Sequence, residues 1–253
     1  MKKNIWGIFF WGAMLCSWFS VAHGTEPPKP RTLKLLLLKD NPPLSHRDAS
    51  GKFVGFNVDL GRLLCETIKM PCEFQEVEHS KVIEMISKGE VDVGMISLII
   101  TPERARQVLF TEPYRVSKTF WISRVPIAHS KQSRVAVVNG SVQHKWAERN
   151  SGQRGWQVLP VSVNSELAKS LRDGKADAVI SPSSAALEIM KELSHAGLNA
   201  RPIESEEFNN PVAIAVNPAD KELCDWLNVA LRQIKTNGQL DNINSKYFSF
   251  RVF

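Results

Sequence analysis

Leu33–Leu38 is an apolar run of strand length. After it, Leu60, Leu63, Leu64, Thr67 and Ile68 fall at i, i+3, i+4, i+7 and i+8, which is one face of a helix. Glu73–Val77 follows as a strand, and Ser80 is positioned to cap a helix carrying Val82, Met85 and Ile86, with Gly89 as its stop. Val91–Ile96 is a third strand. A second series repeats the order: strand Val135–Val138, helix Ser141–Asn150, strand Trp156–Val161, helix Ser165–Arg172 stopped by Gly174, and strand Ala178–Ile180. Strands alternating with helices predict an α/β architecture, with mostly parallel sheets flanked by helices. The halves also share a detail, since Gly89-Glu90-Val91-Asp92 and Gly174-Lys175-Ala176-Asp177 each join a helix to a strand. The order and the echo together predict two similar lobes. Ligands of open α/β sheets bind beyond the carboxyl ends of the strands, which directs attention to Ser97–Arg104 and Ser181–Ser184.

The remainder of the chain bounds the function. Met1–Gly24 carries Lys2 and Lys3, an apolar run Ile5–Val21 and the small-residue end Ala22-His23-Gly24, which reads as a secretory signal cleaved after Gly24. Residues 25–31 form a Pro-rich polar leader, and no later segment is apolar enough to span a bilayer. The chain of 253 residues, 43% hydrophobic and 23% charged, has ordinary globular composition. Loss of the signal lowers the formal charge from +6 to +4. Its short basic clusters lack interleaved aromatics, so nucleic acid is disfavoured. An exported protein can hold a disulfide; Cys65 and Cys72, at a helix end and a strand start, are placed for a local staple, and Cys224 reads as a buried thiol. No cysteine, histidine or carboxylate cluster has metal-ligand spacing, so neither a metal nor a cofactor is expected.

Thr101-Pro102-Glu103-Arg104 is the sharpest local signal. Thr101 suits the cap, Pro102 the first helical position and Glu103 the positive end of the helix dipole. Arg104 opposes that dipole, so it either joins the free amides in holding an anion or pairs with Glu103 or solvent.

Three segments carry a wider resemblance: Gly51-Lys52-Phe53-Val54-Gly55-Phe56-Asn57-Val58-Asp59-Leu60, Ile100-Thr101-Pro102-Glu103-Arg104-Ala105, and Phe110-Thr111-Glu112-Pro113-Tyr114. With Asn237-Gly238-Gln239-Leu240-Asp241 and Lys246-Tyr247-Phe248 near the end, the chain from Leu33 to Phe253 resembles the bacterial periplasmic solute-binding proteins of the polar-amino-acid family (family 3). The resemblance implies a type II fold of two lobes joined by two hinge strands, near Val116–Ile122 and Val212–Val216. Lobe 1 would then hold 32–117 and 217–253, and lobe 2 would hold 118–216. It also implies a Cys65–Cys72 disulfide, as in the histidine- and lysine/arginine/ornithine-binding members. The function implied is periplasmic capture of a small carboxylate-bearing solute, an amino acid or a similar compound, by a monomer that serves an ABC permease.

By the same resemblance Arg104 clasps the ligand carboxylate, helped by Ser97, Thr101 and the Ser141 helix start. Other positions depart from the family pattern. A second hydroxyl position reads Ile99, an acidic position reads Leu38, and two aromatic positions read Asn41 and His79. The acid that should hold the ligand ammonium reads Pro182, flanked by Ser181 and Ser183. Losing such a buried charged partner costs about 3–5 kcal/mol, and a hydroxyl recovers roughly 1.5–3. The expected ligand therefore keeps a carboxylate and lacks a free α-amine. Two alternatives stand beside it: an accessory or sensor protein of the same fold that binds a protein partner, and a cyclic-carboxylate dehydratase using Glu78 and His79. The chain is read here as a non-enzyme.

Overall fold

The computed structural model describes residues 31–124, 132–208 and 211–248. The expected signal peptide lies outside them. In the first half, β1 (Leu33–Leu38) leads through a short hairpin, β2 (His46–Arg47) and β3 (Phe53–Val54), into α1 (Phe56–Thr67). Then come β4 (Cys72–Val77), α2 (Val82–Ser87), β5 (Val93–Ile99), α3 (Pro102–Ala105), β6 (Leu109–Phe110) and β7 (Arg115–Val116). The second half runs β8 (Thr119–Ser123), β9 (Arg134–Val138), α4 (Val142–Arg154), β10 (Gln157–Val161), α5 (Ser165–Arg172), β11 (Ala178–Pro182), α6 (Ser183–Glu192) and β12 (Asn199–Pro202). The chain closes with β13 (Pro211–Val216), α7 (Lys221–Thr236) and α8 (Gln239–Tyr247).

Beside the two-stranded β2-β3 hairpin, two main sheets form, in the orders β4-β1-β5-β13-β6 and β10-β9-β11-β8-β12. Each has a parallel core of three strands, β4-β1-β5 and β10-β9-β11, extended by antiparallel strands beyond the third. The sequence echo has a physical basis. Asp92 Oδ2 accepts the backbone N–H of Lys34 at 2.8 Å, and Asp177 Oδ2 accepts that of Arg134 at 2.8 Å. Each carboxylate thus ties the end of a helix–strand turn to the first parallel strand of its own sheet, β1 or β9. Gly89 (φ 72°) and Gly174 (φ 65°) supply the left-handed residue that ends the preceding helix.

The chain passes between sheets twice, at Ser117–Lys118 and between Pro202 and Pro211. The segment expected as the second hinge, Val212–Val216, pairs with β5 inside the first sheet and is buried there. Two antiparallel strands, β8 and β13, therefore take the chain out of each sheet and back. The cap expected at Ser80 is not used, because His79–Lys81 forms a 3-10 turn that runs into α2. β5 extends to Ile99, past the expected Ile96, because Ile99 pairs with Val212.

The first sheet is covered on one face by α1, α7 and α8 and on the other by α2, each over its own apolar cluster. Phe56 joins α1 to Tyr114 and to Tyr247 and Phe248 at the chain's far end. Cys65 and Cys72 form a disulfide between α1 and β4. Cys224 is a buried free thiol whose pKa burial pushes up to about 11.

Gly55, before α1, has φ 127°, and a Cβ there would stand 2.4 Å from the Leu44 carbonyl oxygen. Gly51 has φ 81° but open space around it. Gly51→Ala should cost about 1–2 kcal/mol, the left-handed penalty alone. Gly55→Ala should lower the urea midpoint substantially further, and equal midpoints for the two variants would refute the close packing at Leu44.

Candidate functional site

The carboxyl ends of the parallel strands in the two sheets face one another across a cleft. From the first sheet come Leu38 at the end of β1, Asn41 and His79 in the loops after β1 and β4, and Ser97, Ile99 and Arg104 at the end of β5 and in α3. From the second come Ser141, Val142 and Gln143 at the start of α4, Asn164 at the start of α5, and Pro182 and Ser184 at the start of α6. Three helix N-termini thus line one wall, and their free amides favour negative charge. Ser117 and Arg115, at the first crossing, line the same space. The cavity left between the walls is about 50 Å³, room for a few waters or a compact solute.

The walls are already in contact. Lys145 on α4 reaches both carboxylate oxygens of Glu103 on α3 at 2.7 Å. Asn164 Nδ2 donates to Asn41 Oδ1 at 2.9 Å, and Ser165 donates to Asp40. Gly140 packs so closely on Ser80 that a Cβ would stand 2.8 Å from its Cα.

Arg104 is 8% exposed, and its described side-chain hydrogen bond runs from Nη1 to the Ile99 carbonyl at 2.9 Å. Its backbone N–H is accepted by Thr101 Oγ1 at 3.2 Å, the expected cap. The alternative pairing with Glu103 is not made as an ion pair, because Lys145 takes that carboxylate. Burial lowers the guanidinium pKa to about 10, with the Glu103 charge opposing the shift; it stays cationic at neutral pH. Arg115 is 4% exposed, its Nε has no acceptor, and burial lowers its pKa also. His79 faces Arg104 with an Nδ1 that is sealed and unpartnered. Burial first, and the Arg104 charge second, hold its pKa down to about 3.

Ser97 has a left-handed backbone, φ 53°. Its hydroxyl donates to Asn57 Oδ1 at 2.8 Å and stands 2.7 Å from the Tyr114 hydroxyl, which must then be the donor. Its proton is thus committed inside the first sheet. Thr101 borders an adjacent groove with Arg106 and Arg149 rather than the cleft. Ser141 lines the cleft and caps α4 by accepting the His144 N–H at 3.0 Å. Pro182 lines the cleft as expected, but its flanking hydroxyls do not. Ser181 is fully buried with an unpartnered Oγ. Ser183 stands at the crossing instead, its N–H bonded to the Lys118 carbonyl at 2.8 Å. Glu78 borders a separate depression with Lys39 and Glu166.

Arg115, Gln143, Asn164 and Ser117 escaped sequence reasoning, whereas Ser184 closes the segment Ser181–Ser184 that the strand ends pointed to. Asn164 was findable, since it sits where a helix begins just beyond a parallel strand. Arg115 had no such signal, because its place depends on where β7 meets β13.

Every acid that the ammonium of an amino acid would need is missing from the wall. Among the described residues, no Asp or Glu lines the cavity.

Residues 33–250 match the model for bacterial extracellular solute-binding proteins, family 3. The chain is 29% identical over 222 residues to an L-arginine-binding protein of Pseudomonas aeruginosa, covering 84% of this chain and 86% of the relative. It is 25% identical over 265 residues to the lysine/arginine/ornithine-binding periplasmic protein of Escherichia coli, covering 100% and 99%. A solved ancestral arginine-binding protein bound to arginine superposes with TM-score 0.79 at 28% identity, covering 86% of this chain and 98% of that one.

A histidine held neutral by burial carries an acid-stability signature. Its folded pKa, about 3, lies below the unfolded 6.5, so the contribution is complete above about pH 6.5 and is lost as pH falls towards 3. His79→Gln should flatten the decline of the urea midpoint between pH 7 and 4 relative to wild type. An unchanged slope would show that His79 is hydrated.

Proposed function

Because the chain belongs to the bacterial extracellular solute-binding proteins, family 3, we propose that it is a periplasmic binding protein. It captures a small carboxylate-bearing solute between its two lobes for an ABC importer, and is not an enzyme. The observation that carries this reading is Arg104, a buried cation without a carboxylate partner at the mouth of three helix N-termini. A carboxylate there gains charge-assisted hydrogen bonds from the guanidinium and is favoured by the positive ends of the helices. The lobes would comprise the first sheet with 211–248 and the second sheet with 119–202. The passages from β7 to β8 and from β12 to β13 would act as hinges.

The relatives are named for arginine, lysine, ornithine and histidine. A basic side chain would bring another cation beside Arg104 and Arg115, with no lining acid to receive it. The wall supports a solute recognised through its carboxylate, without an α-ammonium.

The test is a thermal-shift panel on protein refolded to strip carried-over solute, pairing α-amino acids with their deaminated analogues. A ligand at 100 times its Kd should add about 2.7 kcal/mol. A deaminated acid should stabilise the wild type, and Arg104→Ala should abolish the effect. Stabilisation by amino acids alone, or a response indifferent to Arg104→Ala, would count against the reading.

A further inference from the structure

The cleft contains two buried guanidinium groups, and capture of one carboxylate uses only Arg104. Arg115 opens β7 and stands in register with Val212 of β13, which is itself in register with Ile99 of β5. This row spans two strand spacings, about 10 Å. Arg104 docks on the Ile99 end of it through that residue's carbonyl, and Arg115 occupies the other end. Both side chains line the one cavity.

Arg115 has no structural employment that would explain its burial. Its Nε is sealed without an acceptor, and none of the ion pairs among the described residues includes it. The arginines that are paired lie at the surface. Arg47 meets Glu76 at 3.0 Å and Arg134 meets Asp177 at 2.8 Å, with side chains 47% and 40% exposed. These surface arginines have counter-ions even with water at hand, whereas the two withdrawn from water have none among the described residues. A buried charge without a partner in the chain is costly, and a partner from outside the chain can complete it. A guanidinium presents a planar fork of donors matched to carboxylate. The remaining wall agrees in sign: it contributes helix N-termini and a neutral His79, with Leu38 and Pro182 but no acid.

We infer that the cleft takes a solute with two anionic groups, a compact dicarboxylate without an ammonium, one carboxylate held by Arg104 and the other by Arg115. This rests on the cleft-capture reading above and adds the second anchor. The small cavity favours a short chain between the two carboxylates.

The experiment measures Kd by calorimetry on the refolded full-length secreted protein, with malonate, succinate and glutarate set against propionate, butyrate, pentanoate and the α-amino acids. One dicarboxylate should bind about 10- to 100-fold more tightly than the monocarboxylate of equal length, the ratio expected for one charged hydrogen-bonded partner. Arg115→Gln should remove that ratio by weakening the dicarboxylate far more than the monocarboxylate, and Arg115→Lys should keep part of it. Arg104→Gln should weaken both classes. Ligand-free melting of each variant identifies any that fails to fold, and Arg115→Lys then supplies the readout. Arg104-dependent binding of monocarboxylates with no dicarboxylate preference, or a preference that survives Arg115→Gln, overturns the second anchor alone, whereas binding of α-amino acids alone overturns both readings. No binding by any carboxylate overturns the capture reading and this inference together.

Discussion

A guanidinium moved out of water without a counter-ion loses hydration worth several kcal/mol, and Arg104 bears that cost in the cleft between the two sheets. Its head is fixed on the Ile99 carbonyl, its backbone on the Thr101 hydroxyl, and the neighbouring acid, Glu103, is engaged by Lys145 from the opposite wall. The last contact has a double effect. It bridges the lobes, and it withdraws from Arg104 the carboxylate that would otherwise neutralise it. The cation is thereby left without a carboxylate at the edge of the cleft.

The scaffold that presents it is built twice. In each sheet an aspartate after a left-handed glycine bonds back to the first parallel strand, fixing how the third parallel strand begins. Side chains beyond the carboxyl ends are then free to diverge, and the two walls diverge in kind. The first sheet supplies side-chain cations and the second supplies helix N-termini, so opposite faces of the cleft favour the same charge on a ligand.

Much of the fold was legible because its signals are local. The run Leu33–Leu38, the helical face from Leu60 to Ile68 and the paired Gly-x-x-Asp turns depend on residues close in sequence, and each was found where periodicity put it. Arg104 was legible for the same reason, since a capping Thr and Pro announce a helix start that a cation should avoid. The role of Val212–Val216 was not, because its apolar pattern suits a hinge and a central strand equally and only pairing with β5 decides between them. The hydroxyls at Ser181 and Ser183 were likewise undecided by position. Strand pleat turns Ser181 into the sheet, and the Lys118 carbonyl draws the Ser183 backbone towards the crossing.

The sequence by itself determined the alternation of strands and helices, the two-lobed repeat and the cysteine staple, all consequences of residue type and short spacing. Tertiary structure alone decided that Glu103 serves Lys145, that Ser97 spends its proton on Asn57, and that Arg115 enters the cleft. Each of these joins segments far apart in the chain, 42 residues for the first and 40 for the second. Such contacts are set by which strands pair and how closely the lobes meet, and no local pattern of polar and apolar residues encodes that choice.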